Sequence, residues 1–142
     1  MLATELISKT MEELKKHEGL RLKPYKCTAG ALTIGYGRNL NARGISRAEA
    51  HDMLAHDVIE TYHQCELKID FWSSLSDVHK MVLLNMAFNL GIQGLLGFKR
   101  TLDYMRSGDF RSASVEMLDS KWAEQVGKRA EELSKMMRVG ST

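Results

Sequence analysis

Residues 18–37 read EGLRLKPYKCTAGALTIGYG, and the change of conformational preference along this stretch decides the fold. Ahead of it, residues 4–17 set Leu6, Ile7, Met11 and Leu14 at helical spacing with Glu5 in the first turn. A helix therefore runs to Glu18, and Gly19 supplies the left-handed terminator. Within the stretch, Pro24 forbids a helix interior and Thr28-Ala29-Gly30 supplies a turn. Leu32, Ile34 and Tyr36 then alternate with Thr33 and Gly35, which is the period of a strand. The stretch predicts a helix end followed by a β-hairpin. Cys27 and Thr33 flank the turn on opposite arms, so a carboxyl (Glu18), a thiol and a hydroxyl can meet at one place.

Working outward, residues 39–44 read as a further turn with one short strand at most. Ser46 with Glu49 three residues on is a capping box. Ala50, Leu54, Val58, Thr61 and Cys65 define one face of the long helix it opens. Residues 77–90 are apolar nearly all round, which predicts a helix buried on most sides at the centre of the core. Gly91, Gly94 and Gly97 predict a break into short pieces, and Gly108 separates a helix near 101–107 from one near 110–118. A last helix is predicted over about 127–137. The expected class is α+β and mainly helical: one domain over 1–142, with a small β lobe near 20–45 and a helical lobe from 1–19 and 46–142. A cleft between lobes is the natural place for a ligand.

With 142 residues, 44% hydrophobic and 27% charged, the chain has the composition of an ordinary globular protein. A chain of this size buries roughly two-thirds of the surface its unfolded form exposes, so it folds without staples. The balance of 20 basic and 18 acidic residues is only mildly basic, and the basic residues are scattered. No nucleic-acid stripe is expected. Residues 1–19 hold no continuous apolar run of signal-peptide length, and no stretch reads as a membrane span. A cytoplasmic site of synthesis, no stable membrane association and a monomer are the expectations. Two cysteines do not make a disulfide framework, so Cys27 and Cys65 are expected to be free. His51, His56 and His79 lack partners at metal-ligand spacing, so neither metal nor cofactor is expected.

Each of the three central residues also has an ordinary reading. Glu18 sits at the carbonyl end of its helix, where the dipole disfavours a carboxylate; a partly dry position there would keep it protonated and make it a general acid. Taken alone, it is a surface residue in a fraying turn. Cys27 alone is a small half-buried hydrophobe, and Thr33 alone is a routine strand residue.

The segment EGLRLKPYKCTAGALTIGYG resembles the N-terminal active-site segment of the phage-type lysozymes, the endolysins or muramidases. There a Glu, usually an Asp, and a Thr form the catalytic triad in this order and spacing. SLSDVHKMVLLNMAFNLGIQGLLGF resembles the family's central buried helix and its glycine-rich connection, and SKWAEQVGKRAEEL resembles a later helix pair with its Trp and Arg. The resemblance runs in order from Glu5 to Met137.

This resemblance implies that Glu18 protonates the glycosidic oxygen and Thr33 helps hold the attacking water, with Cys27 in place of the usual Asp. It also implies supporting roles for Tyr25 near that Glu, for Arg129 across the cleft, and for Phe88, Asn89 and Thr101 along the saccharide groove. Core packing is an equal reading of Phe88, and Asn85 and Trp122 read as structural. At Cys27 the readings are a thiolate that assists water or attacks the sugar, a neutral thiol that positions water, or an impaired enzyme. A Cys27–Cys65 disulfide would silence the site, although Cys65 falls on an apolar helix face. Between Gly37 and Ile45 the chain is shorter than the longest members and carries Arg38 where some have His, which implies a hairpin with one extra strand at most.

The implied function is hydrolysis of the β-1,4 bond between N-acetylmuramic acid and N-acetylglucosamine in bacterial peptidoglycan, for lysis of a host from whose cytoplasm a separate pore releases the enzyme. The alternatives are a lytic transglycosylase acting on the same bond with Glu18 alone, a non-catalytic peptidoglycan-binding module and, less plausibly, a helical DNA-binding domain.

Overall fold

A computed structural model of the chain describes residues 1–140. It is α+β and mainly helical, with a small antiparallel sheet, and it divides into two compact units, Met1–Asp52 and Met53–Thr142.

In the first unit, helix α1 (Ala3–Glu18) ends where Gly19 takes φ +70° and donates its N–H to Lys15 O at 3.2 Å. Only glycine adopts that backbone without strain, so the helix stops at Glu18 as its sequence predicts. Strands β1 (Arg21–Lys26), β2 (Leu32–Gly35) and β3 (Arg38–Asn39) follow, paired antiparallel in the order β1-β2-β3. Tyr25 stands opposite Thr33 and Lys26 opposite Leu32; the register shifts between Arg21 and Tyr25, where Pro24 has no N–H to offer the ladder. The turn closes by Cys27 N–H to Ala31 O at 2.9 Å and Gly30 N–H to Cys27 O at 2.8 Å. The extra strand is only two residues long, within the limit its sequence implied. None of the α1 residues is buried, so Leu6, Ile7, Met11 and Leu14 form an exposed apolar stripe.

Helix α2 (Arg47–Lys68) opens with the capping box its sequence predicts: Glu49 N–H donates to Ser46 Oγ at 3.1 Å and Ser46 N–H donates to Glu49 Oε1 at 2.8 Å. From Met53 onward it belongs to the second unit, where Thr61 and Cys65 are buried. A short 3-10 turn (Trp72–Ser74) leads to α3 (Asp77–Leu96), whose first turn is capped by Ser76 Oγ accepting from His79 N–H at 3.2 Å. Helices α4 (Lys99–Arg106), α5 (Phe110–Glu116), α6 (Lys121–Val126) and α7 (Lys128–Val139) complete the unit.

The core gathers around α3: Val82, Leu83, Met86 and Leu95 are fully enclosed, with Met117, Met137, Trp122 and Cys65 around them. One expectation for α3 needs correction. It is not buried on most sides, since Met81 and Phe88 are exposed. The expected break is present: Gly91, at φ +78° and ψ 160°, lies outside helical space and separates two helical pieces, the second of which runs through Gly94 to Leu96 and stops at Gly97. Among the described residues, no single helix is long and apolar enough to cross a membrane.

Candidate active site

Glu18 is the last residue of α1, and Gly19 turns the chain directly from it into β1. The partly dry position of the helix-end argument is not what the fold supplies, because Glu18 is exposed. Its carboxyl does have a close neighbour: the turn after β2 brings Gly37 so near that a Cβ placed there would stand 2.6 Å from Glu18 Oε2.

Cys27 follows β1 immediately and is half-buried. The Ala31 amide above all, then the Ala29 amide and the Thr33 hydroxyl, hydrogen-bond its sulfur and hold its pKa below that of an ordinary thiol. Donors pointed at a sulfur favour the charged form, so the turn biases Cys27 toward thiolate. Thr33 lies on β2 with 3% of its surface exposed. Its hydroxyl donates to Ala31 O at 2.9 Å. A hydroxyl has one proton, so it serves either that carbonyl or the thiolate at a given moment, while its lone pairs stay open to a donor such as water. Tyr25 shares a sheet face with Thr33 as its cross-strand partner, and the Arg21 guanidinium lies 5.0 Å from the centre of the Tyr25 ring.

The second unit carries the other candidates. Arg129, at the start of α7, donates from Nε to Asn85 Oδ1 at 2.8 Å and from Nη2 to Asn85 O at 3.4 Å. Together with Phe88, Leu54, Val58 and Met81, these two residues line an apolar groove of about 410 Å³. Phe88 is 44% exposed, so of its two readings the fold selects a surface role over core packing. Asn89 accepts a 2.9 Å hydrogen bond from Trp122 Nε1 and thereby anchors a buried indole. Thr101 is buried in the wall of a separate cavity of about 230 Å³, which Arg100, Glu116 and Asp119 also line.

Cys65 is fully enclosed in the core, and burial pushes its thiol up to about 11. It is an inert hydrophobe, and both cysteines are free thiols. Sequence reasoning missed Gly37, for which the GYG at the end of the hairpin was the available signal.

A family model described as phage lysozyme matches residues 15–138, a span that holds Glu18, Cys27, Thr33 and Arg129. The chain is 31% identical over 121 residues to an endolysin of Acyrthosiphon pisum secondary endosymbiont phage 1, covering 82% of this chain and 80% of that one. It is 24% identical over 165 residues to a probable T4-type lysozyme of Dictyostelium discoideum, covering 96% and 97%. It is also 27% identical to the pre-baseplate central spike protein Gp5 of Enterobacteria phage T4, across 92% of this chain but only 28% of the spike protein. With the match spanning most of its length and the hairpin and helices in place, this chain belongs to the phage lysozyme family and is a lysozyme-type enzyme that acts on the cell wall.

Proposed function

We propose that the protein is a muramidase that hydrolyses the β-1,4 bond between N-acetylmuramic acid and N-acetylglucosamine in peptidoglycan, and that it serves host lysis. The observation that carries the reading is the junction of α1 with the hairpin, where Glu18 ends the helix and Cys27 and Thr33 flank the β1–β2 turn in the family's order.

Glycoside hydrolysis needs an acid on the leaving oxygen and an activated water or a nucleophile on the opposite face of the ring. In this reading Glu18 is the acid. Cys27 as thiolate accepts a proton from the attacking water, and Thr33 accepts a second hydrogen bond from that water and so fixes its direction. The amide and hydroxyl donors around Cys27 support a thiolate over a neutral thiol in this role. Arg129, held by Asn85, and Phe88 contribute to glycan binding, and Tyr25 supports the hairpin face beside Thr33. The enzyme acts as a monomer and reaches its substrate from the host cytoplasm when a separate pore opens the membrane.

Mass spectrometry of fragments released from purified peptidoglycan tests the reading. Reducing N-acetylmuramic acid ends are expected, and Glu18→Gln should release almost nothing while folding normally. Anhydro ends would make the protein a transglycosylase, and no release by the unaltered chain would leave a binding module.

A further inference from the structure

Gly37 ends the turn after β2 at φ +77°, and an ideal Cβ on it would lie 2.6 Å from Glu18 Oε2, 3.0 Å from its Cδ and 3.3 Å from its Cγ. Two carbons of that carboxyl-bearing chain and one of its oxygens thus occupy the place where any other residue would put its side chain. Within Met1–Asp52, Glu18 has no hydrogen-bond or ion-pair partner among the described residues, and its carboxyl lies in a notch against the bare backbone of Gly37. Both walls of the notch are tethered: Lys15, in the last turn of α1, places its ammonium 6.0 Å from the ring centre of Tyr36, the residue before Gly37.

We infer that Gly37 is a positioning residue for the reaction: its missing side chain forms the notch that aims the Glu18 carboxyl, and any Cβ there swings the acid out of line. The inference rests on Glu18 being the general acid. Glu18 is the flexible partner and the notch is backbone, so an added methyl displaces the carboxyl and leaves the turn in place. Misaimed acids lose rate steeply, because proton transfer in the transition state depends on hydrogen-bond distance and angle. Ground-state binding of the glycan involves other surfaces and should change little.

Gly35 supplies the control. It lies on the same hairpin with φ +70°, yet a Cβ there meets nothing within 4 Å. Gly35→Ala and Gly37→Ala therefore carry similar backbone strain, and only the second touches Glu18.

The test is to measure kcat and KM on defined soluble glycan strands, together with the melting temperature, for the unaltered enzyme, Gly35→Ala, Gly37→Ala and Glu18→Gln. We expect both alanine variants to fold with similar small losses of melting temperature. Gly37→Ala should lose tenfold or more in kcat with KM within about twofold. Gly35→Ala should keep near-normal kcat. Equal activity in the two alanine variants overturns the inference. So does a Gly37→Ala that fails to fold while Gly35→Ala folds, because the notch would then be a folding requirement. If Glu18→Gln stays active, the general-acid reading falls and this inference falls with it; if Glu18→Gln is dead and Gly37→Ala is normal, only this inference falls.

Discussion

Arg38 grips Glu49 through two parallel contacts, Nη1 to Oε1 at 2.7 Å and Nη2 to Oε2, and so joins strand β3 to the first turn of α2. The same carboxylate accepts the Ser46 N–H, so one side chain closes the capping box and clamps the sheet to the helix. Arg38 also donates to Gly44 O at 3.2 Å, which draws in the connecting turn.

This clamp predicts an acid-sensitive component of stability. The Arg38 guanidinium first, then Ser46, lowers the Glu49 pKa from 4.5 to about 2. A carboxyl with a depressed folded pKa stabilises the fold above its unfolded value and loses that stabilisation as pH falls toward the folded one. Melting temperature should therefore decline between about pH 4.5 and 2 more steeply in the unaltered chain than in Arg38→Met. Parallel declines would mean the pair contributes nothing measurable.

Cys27 should react with an alkylating reagent at a midpoint pH below that of a free cysteine, because amide and hydroxyl donors favour its thiolate. Cys65, fully buried with its thiol raised to about 11, should stay silent until the protein unfolds. Mass-resolved alkylation against pH reads both. If the thiolate assists water, Cys27→Ser should lower kcat and Cys27→Asp restore it; near-normal Cys27→Ser would count against an essential thiolate.

Asn89 should matter to stability whatever it contributes to glycan binding. Trp122 is almost fully buried and its Nε1 donates to Asn89 Oδ1, so Asn89→Ala strands a donor at a cost of about 1–3 kcal/mol. Asn89→Asp retains an acceptor and should lose less. Denaturant unfolding of the two variants measures the difference.

Leu83, fully enclosed on α3, should be the most sensitive kind of core position. Leu83→Ala is expected to destabilise by about 2–5 kcal/mol, since transfer and cavity terms add where neighbours cannot collapse. Calorimetry checks it. A loss under about 1 kcal/mol would mean that the helices repack.

Local chemistry made much of this protein legible in its sequence. The end of α1 at Glu18, the hairpin turn after Cys27 and the Ser46–Glu49 box all depend on residues within a few positions of each other: a left-handed glycine, a turn tripeptide, a side chain reaching its own backbone. The order Glu18, Cys27, Thr33, which carried the family resemblance, was likewise legible along the chain. Tertiary structure alone decided the rest, because it depends on which distant surfaces meet. Apolar character could not tell that Met81 and Phe88 face a groove while Val82 and Leu83 are enclosed, since all four belong to one nearly uniform stretch. Nor could spacing show that Asn89 holds Trp122, that Arg38 reaches Glu49, or that Gly37 stands empty against Glu18. The sequence by itself determined which groups are present and where several elements begin or end, among them the end of α1, the hairpin turn and the start of α2. Only the folded chain decided what each of them touches, because packing is set by contacts between residues tens of positions apart, which no local rule encodes.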